Sequence, residues 1–119
     1  MAWGSKTTII DAANVTTETF STAFSLNPGE TAHVQVDANF PTTPTDSLVV
    51  NVYATLDDSS ENWDDSPVYQ FLISKAIADP HSLSFSLYGL YKVRLGVVRD
   101  GTTDTIVVSA WYRADGISL

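Results

Sequence analysis

The 119-residue chain contains no cysteine, which excludes a disulfide framework, a thiolate metal site and a cysteine nucleophile. Stability must come from packing or from partner subunits. Basic residues are scarce: six Lys and Arg stand against fourteen Asp and Glu, for a formal charge of −8 and a pI near 4.3. A chain of that sign repels phosphate, so no nucleic-acid partner is expected. No stretch approaches the roughly 20 apolar residues of a membrane-spanning helix, and the opening MAWGSKTTII lacks the basic start and apolar core of a secretion signal. The expectation is a soluble protein with no membrane partner. Long Leu/Ala/Glu/Lys stretches are missing, and no window carries a 3.6-residue apolar period long enough for a helix. GxGxxG, P-loop, HExxH and Cys/His zinc patterns are absent too, and no G-x-S-x-G elbow supports a Ser/His/Asp triad. Enzyme is therefore the least supported class, and no cofactor is expected.

What is there is alternation. In TAHVQVDANF (31–40), Ala32, Val34, Val36, Ala38 and Phe40 point one way while Thr31, His33, Gln35, Asp37 and Asn39 point the other, as in a half-buried strand. The turn NPGE (27–30) precedes it, with Pro28 presetting φ and Gly29 supplying a positive φ. A hairpin between 18–26 and 31–40 is expected, with Phe20, Phe24 and Leu26 facing inward. SLVVNVYATL (47–56) places Leu48, Val50, Val52, Ala54 and Leu56 on one side and Val49 and Tyr53 on the other, so this strand should be covered on both faces. Further strands are expected at 6–11, 68–74, 82–89, 91–100 and 105–113, the last two joined by DGTTD, whose Asp100–Gly101 is a hairpin signal. About eight short strands at regular spacing predict an all-β, two-sheet sandwich, immunoglobulin-like or jelly-roll, in one domain over 1–119 with residues 1–10 as an N-terminal arm.

Charge is unevenly placed. Residues 1–74 hold ten acids and one base, whereas 75–119 hold four acids and five bases. Lys92, Arg94, Arg99 and Arg113 form a basic set that an acidic loop of a neighbouring copy would suit. The acids concentrate in DDSSENWDDSP (57–67). Asp57, Ser59 and Glu61 echo the alternate spacing of a calcium loop, but the glycine and closing glutamate of an EF-hand are lacking, and the simpler role is to keep a long connection solvated. Trp63, set among those acids, is read as a hydrophobic plug under the loop, as an interface residue, or as a sugar-stacking ring. His33, on the polar side of its strand, reads as an ordinary surface residue. Ile106, Val108, Ala110 and Tyr112 form the inward set of the last strand, which leaves Trp111 outside with Val107, Ser109 and Arg113. Trp3 raises the same question of an apolar anchor without a home.

The opening arm, the threonine-rich strands, the NPGE turn, the YKVRLGV strand and the DG-x-T-D hairpin before a terminal aromatic strand resemble small virion proteins of tailed bacteriophages, nearly over the whole chain. The resemblance implies a capsid decoration protein, a homotrimer on the outer capsid surface, assembled in the host cytoplasm, that binds capsid protein and stabilises the shell by mass action. The expected contacts are Trp3, Tyr53, Arg94, Trp111 and Arg113, aromatics and arginines being preferred at interfaces. The rival reading is a carbohydrate- or receptor-binding module of a phage tail or head fibre, with Trp63 and Tyr69 forming a shallow platform beside nearby carboxylates.

Overall fold

A computed structural model describes residues 4–59, 62–75 and 81–115, and all regular structure within them is strand. Nine strands appear: β1 (Thr7–Val15), β2 (Thr19–Phe20), β3 (Phe24–Ser25), β4 (Thr31–Asn39), β5 (Leu48–Thr55), β6 (Tyr69–Ile73), β7 (His81–Tyr88), β8 (Lys92–Arg99) and β9 (Ile106–Asp115). They build a four-stranded sheet, order β1-β9-β4-β7, and a five-stranded sheet, order β2-β8-β5-β6 with β3 also on β8. Every pairing is antiparallel. With β2 and β3 counted as one interrupted strand, this is the jelly-roll order, and the protein is an all-β sandwich.

The alternation seen in the sequence builds the core. Val34, Val36 and Ala38 of β4, Ile106, Val108 and Ala110 of β9, and Leu87 of β7 face Leu48, Val50 and Val52 of β5 and Val93, Leu95 and Val97 of β8, all essentially fully buried. Each buried Val, Leu or Ile among them contributes about 1.5–3 kcal/mol by leaving water. β5 lies between β8 and β6 and is covered as expected. Tyr112 is on the inner side and stacks on Phe24, ring centroids 4.1 Å apart.

Both expected hairpins are wrong, for one reason. The NPGE turn forms, with Gly29 at φ 82° and the Glu30 N–H donating to the Asn27 carbonyl (3.0 Å), but it carries the chain from β3 in one sheet to β4 in the other. Asp100–Gly101 likewise sends β8 across to β9. Among the described strands, only the β5–β6 connection, which contains the acidic stretch, returns within its own sheet between neighbouring long strands. Phe20 departs from expectation as well: it lies opposite Gly96 on the outer side and is half exposed, whereas Phe24 and Leu26 are buried.

Side chains tie the β8–β9 crossing to another, the connection from β4 in one sheet to β5 in the other. Asp46 Oδ2 accepts from the Thr103 and Asp104 N–H groups (2.9 and 2.8 Å), and Asp104 Oδ2 accepts from Thr45 and Asp46 (2.6 and 2.8 Å). Each carboxylate thus ties down the backbone of the other's loop. Asp100 adds a third tie, accepting from the Ser47 N–H (2.8 Å) while its own N–H donates to the Ser47 carbonyl. Gly101 is required because a methyl group there would overlap the Asp46 carboxylate. The hydrogen bond from Asp104, joined by that from Thr103 and by the charges of Arg99 and Lys75, holds the Asp46 carboxyl below the usual carboxylate range despite its burial. Between β2 and β3, Ser21 enters the ladder itself: its hydroxyl accepts from Leu95 N–H (2.8 Å) and its own N–H donates to the Leu95 carbonyl. In β1 the register slips twice, and Ile9 and Ile10, though adjacent, are both buried. The second slip holds Ala12 at φ 45°, with its N–H donating to Ser109 Oγ.

Candidate functional site

The outer face of the four-stranded sheet carries an open groove of about 480 Å³. Its floor is laid out in cross-strand rows. Trp111 on β9 stands between Thr8 of β1 and Gln35 of β4, and Gln35 is opposite Ser84 of β7. The next row is Arg113, His33 and Ser86. Beyond Trp111 in the other direction, outside the groove's lining, come Ser109, Asp37 and Ser82. The serines of β7 matter because SLSFSLY puts a hydroxyl outward at every second position, leaving the wall beside the indole low and polar.

Trp111 is half-buried, and the Lys6 ammonium lies over its ring, 4.3 Å from the centroid. Such a contact is worth about 0.5–1 kcal/mol at an exposed site. Lys6 reaches this place because the Gly4 N–H donates to the Ala114 carbonyl (2.8 Å), docking the preceding segment along β9, while Arg113 Nη1 donates to the Gly4 carbonyl (3.0 Å). A side chain at position 4 would collide with Ala114, so the glycine permits the approach. His33 Nδ1 shares a hydrogen bond with Ser86 Oγ (3.0 Å), and its Nε2 is 3.8 Å from Asp115 Oδ2.

A serine, a histidine and an aspartate are therefore neighbours here, but as a hydrolytic triad they are poorly arranged. The 3.8 Å separation is a charge contact, too long to orient the imidazole by a hydrogen bond. Ser86 is inside β7, where no turn or helix start presents paired N–H groups to an oxyanion. What the arrangement does offer is a ring face ringed by hydroxyl, amide and imidazole groups, which suits the binding of a polar ligand with an apolar face.

No protein-family model and no curated protein matches the sequence. Solved structures do match. One, described as "CBM4 structure and function", superposes at a TM-score of 0.52 with 16% identity over 87% of this chain and 64% of that one. The fold is similar to that of carbohydrate-binding modules. The N-terminal CBM22-1–GH10 modules of the Clostridium thermocellum endo-1,4-β-D-xylanase 10B, complexed with xylohexaose, also match, at a TM-score of 0.52 and 14% identity over 98% of this chain and 27% of that one. The chain spans less than two-thirds of either solved chain, and at these identities the carbohydrate-binding modules share its fold.

The residues expected at an interface are divided between the two outer faces. Trp111 and Arg113 line the groove, Trp3 lies outside the described residues, and Tyr53 and Arg94 are on the opposite, five-stranded sheet. There Arg94 is sandwiched between Phe20 (4.0 Å to the ring centroid) and Trp63 (4.6 Å), while its buried Nε meets no hydrogen-bond partner among the described residues. Trp63 thus folds back from the long loop onto the sheet. Tyr53 donates to Glu18 Oε2 (2.9 Å), which also accepts from Asn51 (3.2 Å), over the hollow left by Gly96. Burial first, and then the Glu18 carboxylate, push the Tyr53 phenol above its usual range. Tyr69 does not join Trp63 in a platform: it is in register with Val52, on the inner side of β6. The basic set is not one patch, since Lys92 donates to the Asp58 carbonyl, Arg99 to the Asp104 carbonyl, and Arg113 is on the other sheet.

Asp57 is satisfied within the acidic loop, and Asp58 from β8 and the residue before that strand. Asp57 accepts from the Ser59 hydroxyl and N–H (2.8 and 3.0 Å) and from Asn62 (2.7 Å), which lowers its carboxyl below the usual range. Asp57 and Ser59 are thus acceptor and donor to each other, and Glu61, the third member of the calcium pattern, lies outside the described residues. No group of three or more His, Cys, Asp or Glu able to hold a metal occurs among the described residues. Lys6, Gln35, Ser84 and Ser86 were not foreseen as site residues. The outward serines of 82–86 were the available signal, because small hydroxyls along one strand face leave room for a groove.

Proposed function

We propose that the protein is a non-catalytic saccharide-binding module whose site is the groove over Trp111. The observation that carries this reading is the Trp111 indole at the centre of an open sheet face, bordered by Gln35, Ser84, Ser86 and His33. The apolar side of a pyranose stacks on such a ring, and its hydroxyls exchange hydrogen bonds with the surrounding groups. The fold likeness to carbohydrate-binding modules supports it, and the groove supplies the chemistry. Affinity electrophoresis and calorimetry against a panel of soluble polysaccharides test it. Binding to at least one polysaccharide, weakened about tenfold or more in Trp111→Ala, which corresponds to about 1.4 kcal/mol or more, is the expected result. A variant that binds as well as the parent refutes it.

A second reading is a virion protein that decorates a bacteriophage capsid as a homotrimer. It draws on the outer face of the opposite sheet, where Phe20, beside Arg94, and Leu72, on the edge strand β6, are 44% and 59% exposed. Co-sedimentation with purified capsids, lost in Phe20→Ser, and a trimer mass in solution would support it. A monomer indifferent to capsids would exclude it.

A further inference from the structure

We infer that the saccharide taken by the Trp111 groove is anionic, a chain bearing carboxylate or sulfate groups. The inference rests on the saccharide-binding reading and adds the class of ligand.

The chain carries fourteen acids and six bases, yet none of the residues lining the groove is Asp or Glu, and two of them, Lys6 and Arg113, are cations. A net charge of −8 makes that placement the reverse of what the composition favours. Neither cation is spent on a carboxylate among the described residues. Lys6 rests on the Trp111 ring, and Arg113 uses one Nη on the Gly4 carbonyl, leaving its other donors for a ligand. The acids nearest this face lie outside the groove's lining: Asp37 accepts from Ser82 (2.5 Å) and Gln35 (3.3 Å), and Asp115 is 3.8 Å from His33 Nε2.

The position of Lys6 discriminates between ligand classes. A sugar that stacks on Trp111 must displace the ammonium from above the ring, which forfeits the cation–π contact. A neutral sugar gives nothing charged in return. An anionic sugar re-pairs the displaced ammonium, and Arg113, in the next cross-strand row, can take the same or the neighbouring residue's anion with its planar fork. Both cations are exposed, so the exchange is sensitive to salt.

The test uses chemically matched pairs. Polygalacturonate is compared with its fully methyl-esterified form, and chondroitin sulfate with unsulfated chondroitin, by calorimetry at 50 and 500 mM salt. The expected result is at least tenfold tighter binding to one charged member than to its less charged partner, with affinity falling at least tenfold at the higher salt. The pair that discriminates assigns the anion to carboxylate or to sulfate. Lys6→Gln and Arg113→Gln should each weaken that binding about tenfold while Tm stays near that of the parent. Equal affinity for both members of each pair, or binding only to neutral glycans, overturns the inference and leaves the saccharide-binding reading standing. Failure to bind any saccharide, charged or neutral, removes both.

Discussion

Replacing Asp104 measures the clasp between the two sheet crossings. Its carboxylate accepts two backbone hydrogen bonds, at 2.6 Å from Thr45 and 2.8 Å from the buried Asp46. Hydrogen bonds to a charged acceptor contribute about 1.5–3 kcal/mol each, and Asp104→Ala leaves the buried Asp46 N–H without a partner, while the N–H of the exposed Thr45 can turn to water. Allowing for partial hydration through the gap, the loss should be about 3 kcal/mol. Unfolding entropy of about 2.1 cal/mol/K per residue gives roughly 0.25 kcal/mol/K for a chain of 119 residues, so Tm should fall by about 12 °C. Asp104→Asn keeps one acceptor oxygen and should lose about half as much. Trp111 is seven residues further along, about 23 Å at strand rise, so groove binding at 20 °C should be unchanged. Thermal and urea unfolding followed by circular dichroism read the effect. If both variants unfold within about 0.5 kcal/mol of the parent, the reciprocal caps are incidental and the argument fails.

Three further outcomes are expected. Ala12→Gly should stabilise by about 0.5–1 kcal/mol, since a positive φ costs an L-residue about 1–2 kcal/mol and glycine's greater chain entropy returns only part of that; a lower Tm would show that Ala12 is not strained. Gly101→Ala should lower Tm more than Asp104→Asn does, because the added methyl displaces the Asp46 carboxylate outright, and an unchanged Tm would contradict the close approach. The Asp46 and Asp57 carboxyls both titrate lower in the folded than in the unfolded chain, so their stabilising contribution is complete above about pH 4 and is lost as pH falls through their depressed values. Urea midpoints should be flat from pH 7 to 5 and drop below 4, whereas a midpoint that rises on acidification would reverse the sign.

Strand positions and their inward faces were legible because period-two alternation is a local property. The readings of Tyr112 as inward, Trp111 as outward and Leu48–Thr55 as covered on both sides follow from it and hold, whereas Leu56, expected inward, lies past the end of β5 and is 86% exposed. Partition between sheets was not legible. A Pro-Gly or Asp-Gly turn reverses the chain, but whether the returning strand pairs with its predecessor or crosses the sandwich depends on side chains far away in sequence. Here the Ser21–Leu95 bonds and the Asp46–Asp104 clasp, between groups far apart in sequence, hold the crossed arrangement. The groove was hidden for the same reason. His33 was correctly put on the polar side of its strand, yet its significance comes from Arg113 and Ser86 in the same row, and such rows exist only once strand order is known. Trp63 drew attention through its acidic neighbours, although what it meets is Arg94, thirty-one positions on.

The pairing of β1 with β9 has a consequence for how the molecule is made. Of the seven long strands described, the first to be made pairs with the last, β4, β7 and β8 likewise pair only with strands beyond intervening elements, and β5 has one such partner in β8. Synthesis therefore proceeds with apolar edges awaiting completion, and folding dominated by such distant closures runs on the millisecond-to-second scale. Assembly is all or nothing: a fragment ending before Ile106 removes the strand that joins β1 to β4 and leaves the four-stranded sheet in two pieces.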